Sequence, residues 1–420
     1  MQTTLPGTDS DRKAAAPRGD GPVIRRVLLL DPSLFSPLYA QHFASGMRAF
    51  GTEVVLATRR LRGYETLARD HLDVRPVFYR LTERGGGRWR TSRAVKILKA
   101  LEHPLGWRAV RGLVSRLEIG VIHVSWSLVP AIDSAFLAGL KERAGIFMTV
   151  HNADLVAHDM AAVSGRLGRW TQSWRRERLL ALIDGFVAHT DQAVDSLSSL
   201  GVEPSRIRLV RRPPYRLRPD GAVGPRSRAE AGRPVEILFF GAIKPYKGLD
   251  LLLDSALALA AQGEDFRVTV AGRPFLDLAP WRTRIEEAGL GERFRFDLDY
   301  VPDDRLDRYL RDADIVVFPY REIDGSGALA LAASYGGAIV ASAVGVFAEP
   351  PVRDHVALVP AENVEALTAT LRRLIVDPEA RAELASKSAV LAERLGDWRD
   401  YARACLDFYR QRTEGRPLRG

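Results

Sequence analysis

The sequence predicts an α/β protein made of two doubly wound domains that face each other across a cleft. Three observations predict it. Apolar, strand-like runs alternate with helical patterns from Val23 onward, the alternation stops between Arg211 and Arg233, and it begins again at Val235. Such alternation builds a parallel sheet covered by helices on both faces. A chain of 420 residues is long enough for two full cores.

In the first half, VIRRVLLL (23–30) runs into the loop DPSLFSP, then a helix reaching Phe50, then a strand at 53–57. VIHVSW (121–126) and GIFMTVHN (145–152) are two further strand ends, separated by a helical stretch over 131–143. After a long helical region, GFVAHT (185–190) and RIRLV (206–210) close this half. The stretch 211–233 is rich in Pro, Gly and Arg with no apolar period, and reads as a linker. VEILFFG, FRVTVAG, RFRFDL and ADIVVFPY then restart the pattern, and one long helical stretch over 379–412 ends it. The expected division is a polar tail at 1–22, a first domain at 23–210, the linker at 211–233, and a second domain at 234–390. A C-terminal helix and tail at 391–420 cross back toward the first domain.

Composition narrows the chemistry. Cys405 is the only cysteine, which excludes a disulfide framework and a cysteine-based metal site and fits a reducing cytoplasm. The net charge of +9 favours an anionic partner: a phosphorylated ligand, a lipid surface or nucleic acid. The uncharged run from 325 to 348 has the length of a membrane span, but it is mostly Ala, Gly and Ser and is broken by Gly336-Gly337. A buried helix, a turn and a short strand is the expectation there. Residues 1–22 lack an apolar core and are not read as a signal peptide.

Two turns carry the chemistry. In FFGAIKPYKGLDLLLDSA (239–256) a strand ends in Gly241, a turn holds Lys244 and Lys247, and an amphipathic helix follows. Glycine allows close backbone approach, lysines supply compact positive charge, and a helix N-terminus adds unpaired N–H groups and the positive end of its dipole. The second turn, REIDGSG (321–327), leads from the strand ADIVVFPY into the small-residue helix ALALAASYG. Gly325 and Gly327 permit close approach there, and Ser326 offers a hydroxyl. In a parallel sheet both turns lie at the carboxyl edge, where they can converge on one diphosphate.

These stretches, with DADIVVFPYREIDGSGALALAASYGGAIVASAVGVFAE (312–349), resemble the donor half of the GT-B glycosyltransferases, in particular the family-four-like group. VIHVSW and TVHNADLVAHD resemble that group's acceptor half more loosely, and the likeness covers most of Val23 to about Asp377. The resemblance implies two Rossmann-like domains: an N-terminal acceptor domain and a C-terminal domain that binds a nucleotide-diphosphate sugar, with no cofactor and no obligatory metal. It places Lys247 at the donor phosphates, Ser326 and Gly327 at the diphosphate, and Glu349 near the donor hydroxyls. Tyr300 and Val301 fall where the family holds the base. Two departures stand out. Ala242 occupies the place of a usual arginine, whose charge Lys244 can replace. Asp324 and Ala332 stand where the family carries a pair of glutamates.

Breaking a sugar–diphosphate bond builds negative charge on the leaving group, and fixed lysines and helix N-termini stabilise it without Mg²⁺. If transfer retains configuration, the leaving phosphate can take the acceptor's proton; an inverting enzyme needs a base on the other face, and His151, Asp154 or Asp159 are the candidates. His151 ends a strand and precedes Asn152, so it is expected in the cleft. His123 and Trp126, at the preceding strand end, are candidates for acceptor contacts or for packing. The stretches 85–101 and 165–180 interleave Trp with Arg and Lys, as a helix lying on an anionic membrane does; a solvated basic helix with its tryptophans in the core is the alternative.

The activity expected is transfer of a sugar from a nucleotide-diphosphate sugar to a glycan or lipid-linked acceptor, in the cytoplasm or on the inner face of the membrane. No recognised motif for nucleic acid accompanies the charge. An epimerase of the same fold, or a binding subunit without catalysis, are the competing classes.

Overall fold

The computed structural model describes residues 24–63, 65, 67, 71–83, 93–151, 177–217 and 232–415. The expected tail at 1–22, residues 218–231 of the expected linker and residues 85–92 and 165–176 of the two basic stretches lie outside the described residues, as do Asn152, Asp154 and Asp159.

The first half contributes β1 (Arg26–Leu30), α1 (Pro37–Arg48), β2 (Glu53–Arg59), β3 (Leu72–Phe78), α2 (Arg93–Arg116), β4 (Val121–Val124), α3 (Pro130–Ala138), β5 (Gly145–Val150), β6 (Gly185–Ala188), α4 (Asp191–Ser199) and β7 (Ile207–Leu209). Its seven strands form one parallel sheet in the order β3-β2-β1-β4-β5-β6-β7. The second half contributes β8 (Val235–Phe240), α5 (Leu249–Ala261), β9 (Phe266–Ala271), α6 (Ala279–Glu287), β10 (Phe294–Asp297), α7 (Asp303–Asp312), β11 (Ile315–Phe318), α8 (Gly327–Ala333), β12 (Ala338–Ser342), β13 (Ala357–Val359), α9 (Val364–Val376), α10 (Pro378–Arg394) and α11 (Trp398–Thr413). Its six strands form a second parallel sheet in the order β10-β9-β8-β11-β12-β13. Both orders reverse beside the first strand, and each reversal opens a crevice at the carboxyl edge where such sheets bind ligands.

Central strands of these sheets are buried on both faces, which is why VLLL and ILFF read as unbroken apolar runs. Alternate residues still part company. Leu28, Val55, Ile122 and Met148 face Trp107 and the helix α2, while Leu29, Val54, Val121 and Phe147 face α1 and the C-terminal helix. The uncharged run at 325–348 is α8, a turn at Gly336 and β12, with the interior of both elements buried. No described helix is long and apolar enough to cross a membrane.

Two boundaries differ from the sequence expectation. The helical stretch 379–412 is two helices, not one: α10 ends at Arg394, and α11 starts after Asp397, whose carboxylate accepts the Asp400 N–H at 2.7 Å. The break lets α11 leave the second domain and pack on the first. Tyr401 and Tyr39 share a hydroxyl contact at 3.0 Å, and the approach to α1 is so close that a Cβ at Gly46 would lie 2.1 Å from the Trp398 carbonyl oxygen. The start of the linker also differs. Pro213, Tyr215 and Leu217 alternate inward and are buried, so 211–217 is packed chain that carries Arg211 and Arg212 into the cleft.

Candidate functional site

The lysine turn is built at the end of β8. Residues 245–247 make a 3₁₀ turn, and Gly248 then adopts φ 65° to start α5; any side chain there would strike the Pro319 carbonyl oxygen at 1.9 Å. This geometry folds Lys247 back over the turn. Its ammonium sits 5.3 Å from the Tyr320 ring centroid, and an added Cβ at Gly241 would be 3.2 Å from its Nζ. Lys247 is only 9% exposed, and among the described residues no carboxylate pairs with it. Burial, reinforced by the charge of half-buried Lys244, pushes its pKa down to about 8. A buried ammonium without an anion is costly.

The second turn faces the first domain. Ser326 caps α8 by accepting the Leu329 N–H at 3.0 Å, so its hydroxyl proton remains to be donated outward. A Cβ at Gly325 would be 3.5 Å from the His151 carbonyl oxygen, and one at Gly327 would be 3.5 Å from Arg212 Nη1. Two acids of the second domain, Glu349 and Asp324, reach across the cleft. Glu349 accepts the N–H groups of Asp191 and Gln192 at the start of α4, both at 2.9 Å, and pairs with Arg211 at 2.9 Å. Arg211 also holds Asp191 at 2.6 Å, and Gln192 Nε2 donates to Asp324 at 2.9 Å. Together these contacts latch the two domains, and they leave a space of about 30 Å³ between them, bordered by His189, Thr190, Arg212 and Ser326.

On the first-domain side, Trp126 stacks on His151 at 4.7 Å and donates its Nε1–H to Ser36 at 3.1 Å. Arg212 Nη2 donates to His151 Nδ1 at 2.7 Å, so the ring proton resides on Nε2, 3.1 Å from Ser125 Oγ. Burial, then the Arg212 charge, hold His151 well below its usual pKa. In this arrangement the one lone pair of His151 is engaged by Arg212 and is not free to take a substrate proton. For His123 the packing alternative is the one the structure supports. It is wholly buried between the Tyr409 hydroxyl and Thr149 Oγ1 (2.5 Å) beneath α11, and burial pushes its pKa down to about 3, so it is a core group and not an acceptor contact.

Tyr300 and Val301 lie beyond the end of β10, the first 41% exposed and the second half-buried. Beside the lysine turn, Lys244, Tyr246, Trp281 and Arg321 border an open hollow of about 740 Å³. Arg321 is committed there to Asp250 and Glu362. Among the described residues no group of three or more His, Cys, Asp and Glu side chains could hold a metal ion. Sequence reasoning passed over His189, Arg211 and Arg212. The arginines were hidden in a stretch that read as linker, and the only signal for His189 was its place at a strand end in VAHT, equivalent to that of His151.

Comparison with known proteins agrees with this architecture. Residues 37–213 match the glycosyl transferase 4-like domain, and residues 225–389 match the glycosyl transferases group 1 model. A curated relative, the D-inositol 3-phosphate glycosyltransferase of Salinispora tropica, is 31% identical over 292 residues, covering 64% of this chain and 60% of its own. The chain thus spans about six tenths of the length of such relatives. Among solved structures, sucrose-phosphate synthase from Thermosynechococcus elongatus superposes with a TM-score of 0.68 at 18% identity, over 92% of this chain and 98% of the other. Anabaena HepE, solved with UDP and glucose, gives 0.63 at 14% identity over 91% and 98%. At these identities the likeness to the solved structures is one of fold.

Proposed function

As the chain belongs to the GT-B glycosyltransferases, joining a glycosyl transferase 4-like domain to a group 1 domain, we propose that it transfers a sugar from a nucleotide-diphosphate sugar to a glycan or lipid-linked acceptor. The observation that carries this is Lys247: a buried ammonium with no anion paired to it among the described residues, at the carboxyl edge of the second sheet, beside a turn whose glycines leave the backbone open. A donor diphosphate supplies the missing charge. As the bond between the anomeric carbon and the phosphate oxygen breaks, charge grows on that oxygen, and Lys247 with Lys244 stabilises it in place; no metal or cofactor is needed for this step. The acceptor oxygen bonds to the anomeric carbon. With the His151 lone pair taken by Arg212, a retaining course is favoured over one that uses His151 as base, and in it the leaving phosphate oxygen receives the acceptor's proton.

The acceptor side supports a membrane-presented substrate. In α2 the side chains of Ile97, Leu98, Leu101 and Leu105 are between 50% and 70% exposed on one face, which continues into exposed Arg108 and Arg111. Apolar residues followed by arginines on one helical face suit an anionic membrane surface, with the hydrocarbon at the interface and the arginines at headgroups. That placement supports the reading of a peripheral protein, which we propose acts at the inner face of the membrane. Leu101→Glu with Leu105→Glu is expected to abolish co-sedimentation with vesicles containing anionic lipid while leaving the circular dichroism spectrum intact; undiminished co-sedimentation overturns the membrane role.

The activity is tested by following release of nucleotide diphosphate from UDP-, GDP-, dTDP- and ADP-sugars in the presence of a lipid extract. Lys247→Ala is expected to lower turnover by at least about ten-fold with the fold intact. Unchanged turnover overturns the phosphate role, and conversion of the nucleotide sugar to an epimer without any acceptor places the chain among isomerases instead.

A further inference from the structure

Seven buried side-chain atoms among the described residues have no hydrogen-bond partner, and two of them, His189 Nε2 and Arg212 Nε, belong to residues lining the same small space between the domains. Their states are fixed by their neighbours. His189 Nδ1 donates to the Val210 carbonyl at 3.0 Å, so Nε2 carries a bare lone pair. The Arg212 guanidinium has no carboxylate partner among the described residues: Nη2 donates to His151, the guanidinium also hydrogen-bonds the Tyr215 hydroxyl, and the buried Nε–H remains an unused donor. One vacant acceptor and one vacant donor, in a space of about 30 Å³ that Gly325 and Ser326 border from the donor side, are the complement of a single hydroxyl. Such a space holds about one water-sized group.

We infer that His189 Nε2 and Arg212 Nε–H together bind one hydroxyl of the sugar substrate, His189 accepting its proton in a hydrogen bond and Arg212 donating to its oxygen. The inference rests on the proposed sugar transfer and adds to it a specificity site contributed by the first domain. His189 acts here only as a hydrogen-bond acceptor. Burial and the Arg212 charge keep it well below its usual pKa, which makes it too weak a base to remove the proton. Recognition by groups that are otherwise left unpaired discriminates strongly, because a substrate lacking the hydroxyl leaves two buried polar atoms unsatisfied.

The test compares two variants with wild type. His189→Asn keeps a donor for Val210 and removes the acceptor at Nε2, whereas His189→Gln places an amide oxygen near it. Calorimetry with UDP, GDP, dTDP and ADP and their sugar conjugates separates the phosphate from the sugar. His189→Asn is expected to bind the bare nucleotide diphosphate as wild type does and to bind the nucleotide sugar about ten-fold more weakly, with His189→Gln recovering most of the loss. If donor affinity is unchanged and the acceptor KM rises by that factor, the hydroxyl is the acceptor's, and the site stands. Equal donor and acceptor constants in wild type and His189→Asn overturn it. Failure of the wild-type protein to bind any nucleotide diphosphate overturns the proposed transfer itself, and this inference with it.

Discussion

Replacing Lys247 with Met should make the unliganded protein more stable while disabling its donor site. The folded-state pKa of Lys247 falls from 10.5 to about 8, first through burial and then through Lys244. At 1.36 kcal/mol per pH unit this corresponds to about 3 kcal/mol spent on keeping the ammonium charged at neutral pH. The sign follows from proton binding. Between about pH 8 and 10.5 the unfolded chain holds this proton and the folded one does not, so stability contributed by this group rises with pH across that window; below about pH 8 the whole penalty is present. Lys247→Met keeps the aliphatic stem over Tyr320 and removes the charge. Urea unfolding at pH 7 should therefore show the variant more stable by up to about 3 kcal/mol, with the difference shrinking toward pH 10.5. Donor affinity should fall about a hundred-fold. A variant that loses the same stability at both pH values, or that binds donor as wild type does, refutes the reading of Lys247 as an ammonium waiting for a phosphate.

Other perturbations address other parts of the molecule. Arg211→Met removes two ion pairs of the interdomain latch, to Glu349 and Asp191; small-angle scattering should show a larger radius of gyration without ligand, and an unchanged radius contradicts a latch. His123→Ala should cost about 2–4 kcal/mol of stability by taking one hydrogen-bond partner from each of the buried Tyr409 and Thr149 hydroxyls, with KM for donor and acceptor unchanged, as steady-state kinetics would show. Gly46→Ala should destabilise the first domain by more than about 2 kcal/mol in thermal unfolding, because its Cβ meets the Trp398 carbonyl of α11; no loss means that α11 is not seated on α1.

Much of the fold was legible because each central strand is a short apolar run between turn residues, a pattern that parallel sheets impose through burial on both faces. β3 escaped notice because LDVRPVF carries Asp, Arg and Pro76, residues tolerated only because this is the edge strand of its sheet. The shape of the lysine turn was legible as well, since Gly241, Lys247 and Gly248 lie close together in the chain and local sequence dictates their geometry. What stayed hidden depends on distant pairings. His123 and His151 look alike in sequence, each near the end of an apolar run, yet His123 lies within β4 opposite Phe147 and bonds the Tyr409 hydroxyl of α11, while His151 follows β5 and meets Arg212. Glu349 reads as a donor contact, but its present partners are two backbone N–H groups and an arginine about 140–160 residues earlier in the chain. Arg211 and Arg212 could not be found from composition, because the alternation of Pro213, Tyr215 and Leu217 that pins them in place is too short to stand out among prolines.

The most direct test of the central claim is calorimetric titration of the wild-type protein and of Lys247→Met with UDP-, GDP-, dTDP- and ADP-sugars at pH 7. The account predicts that at least one nucleotide sugar binds wild type, and that the variant, folded and more stable, binds it about a hundred-fold more weakly. Binding of none of them by wild type, or equal binding by both proteins, would contradict it.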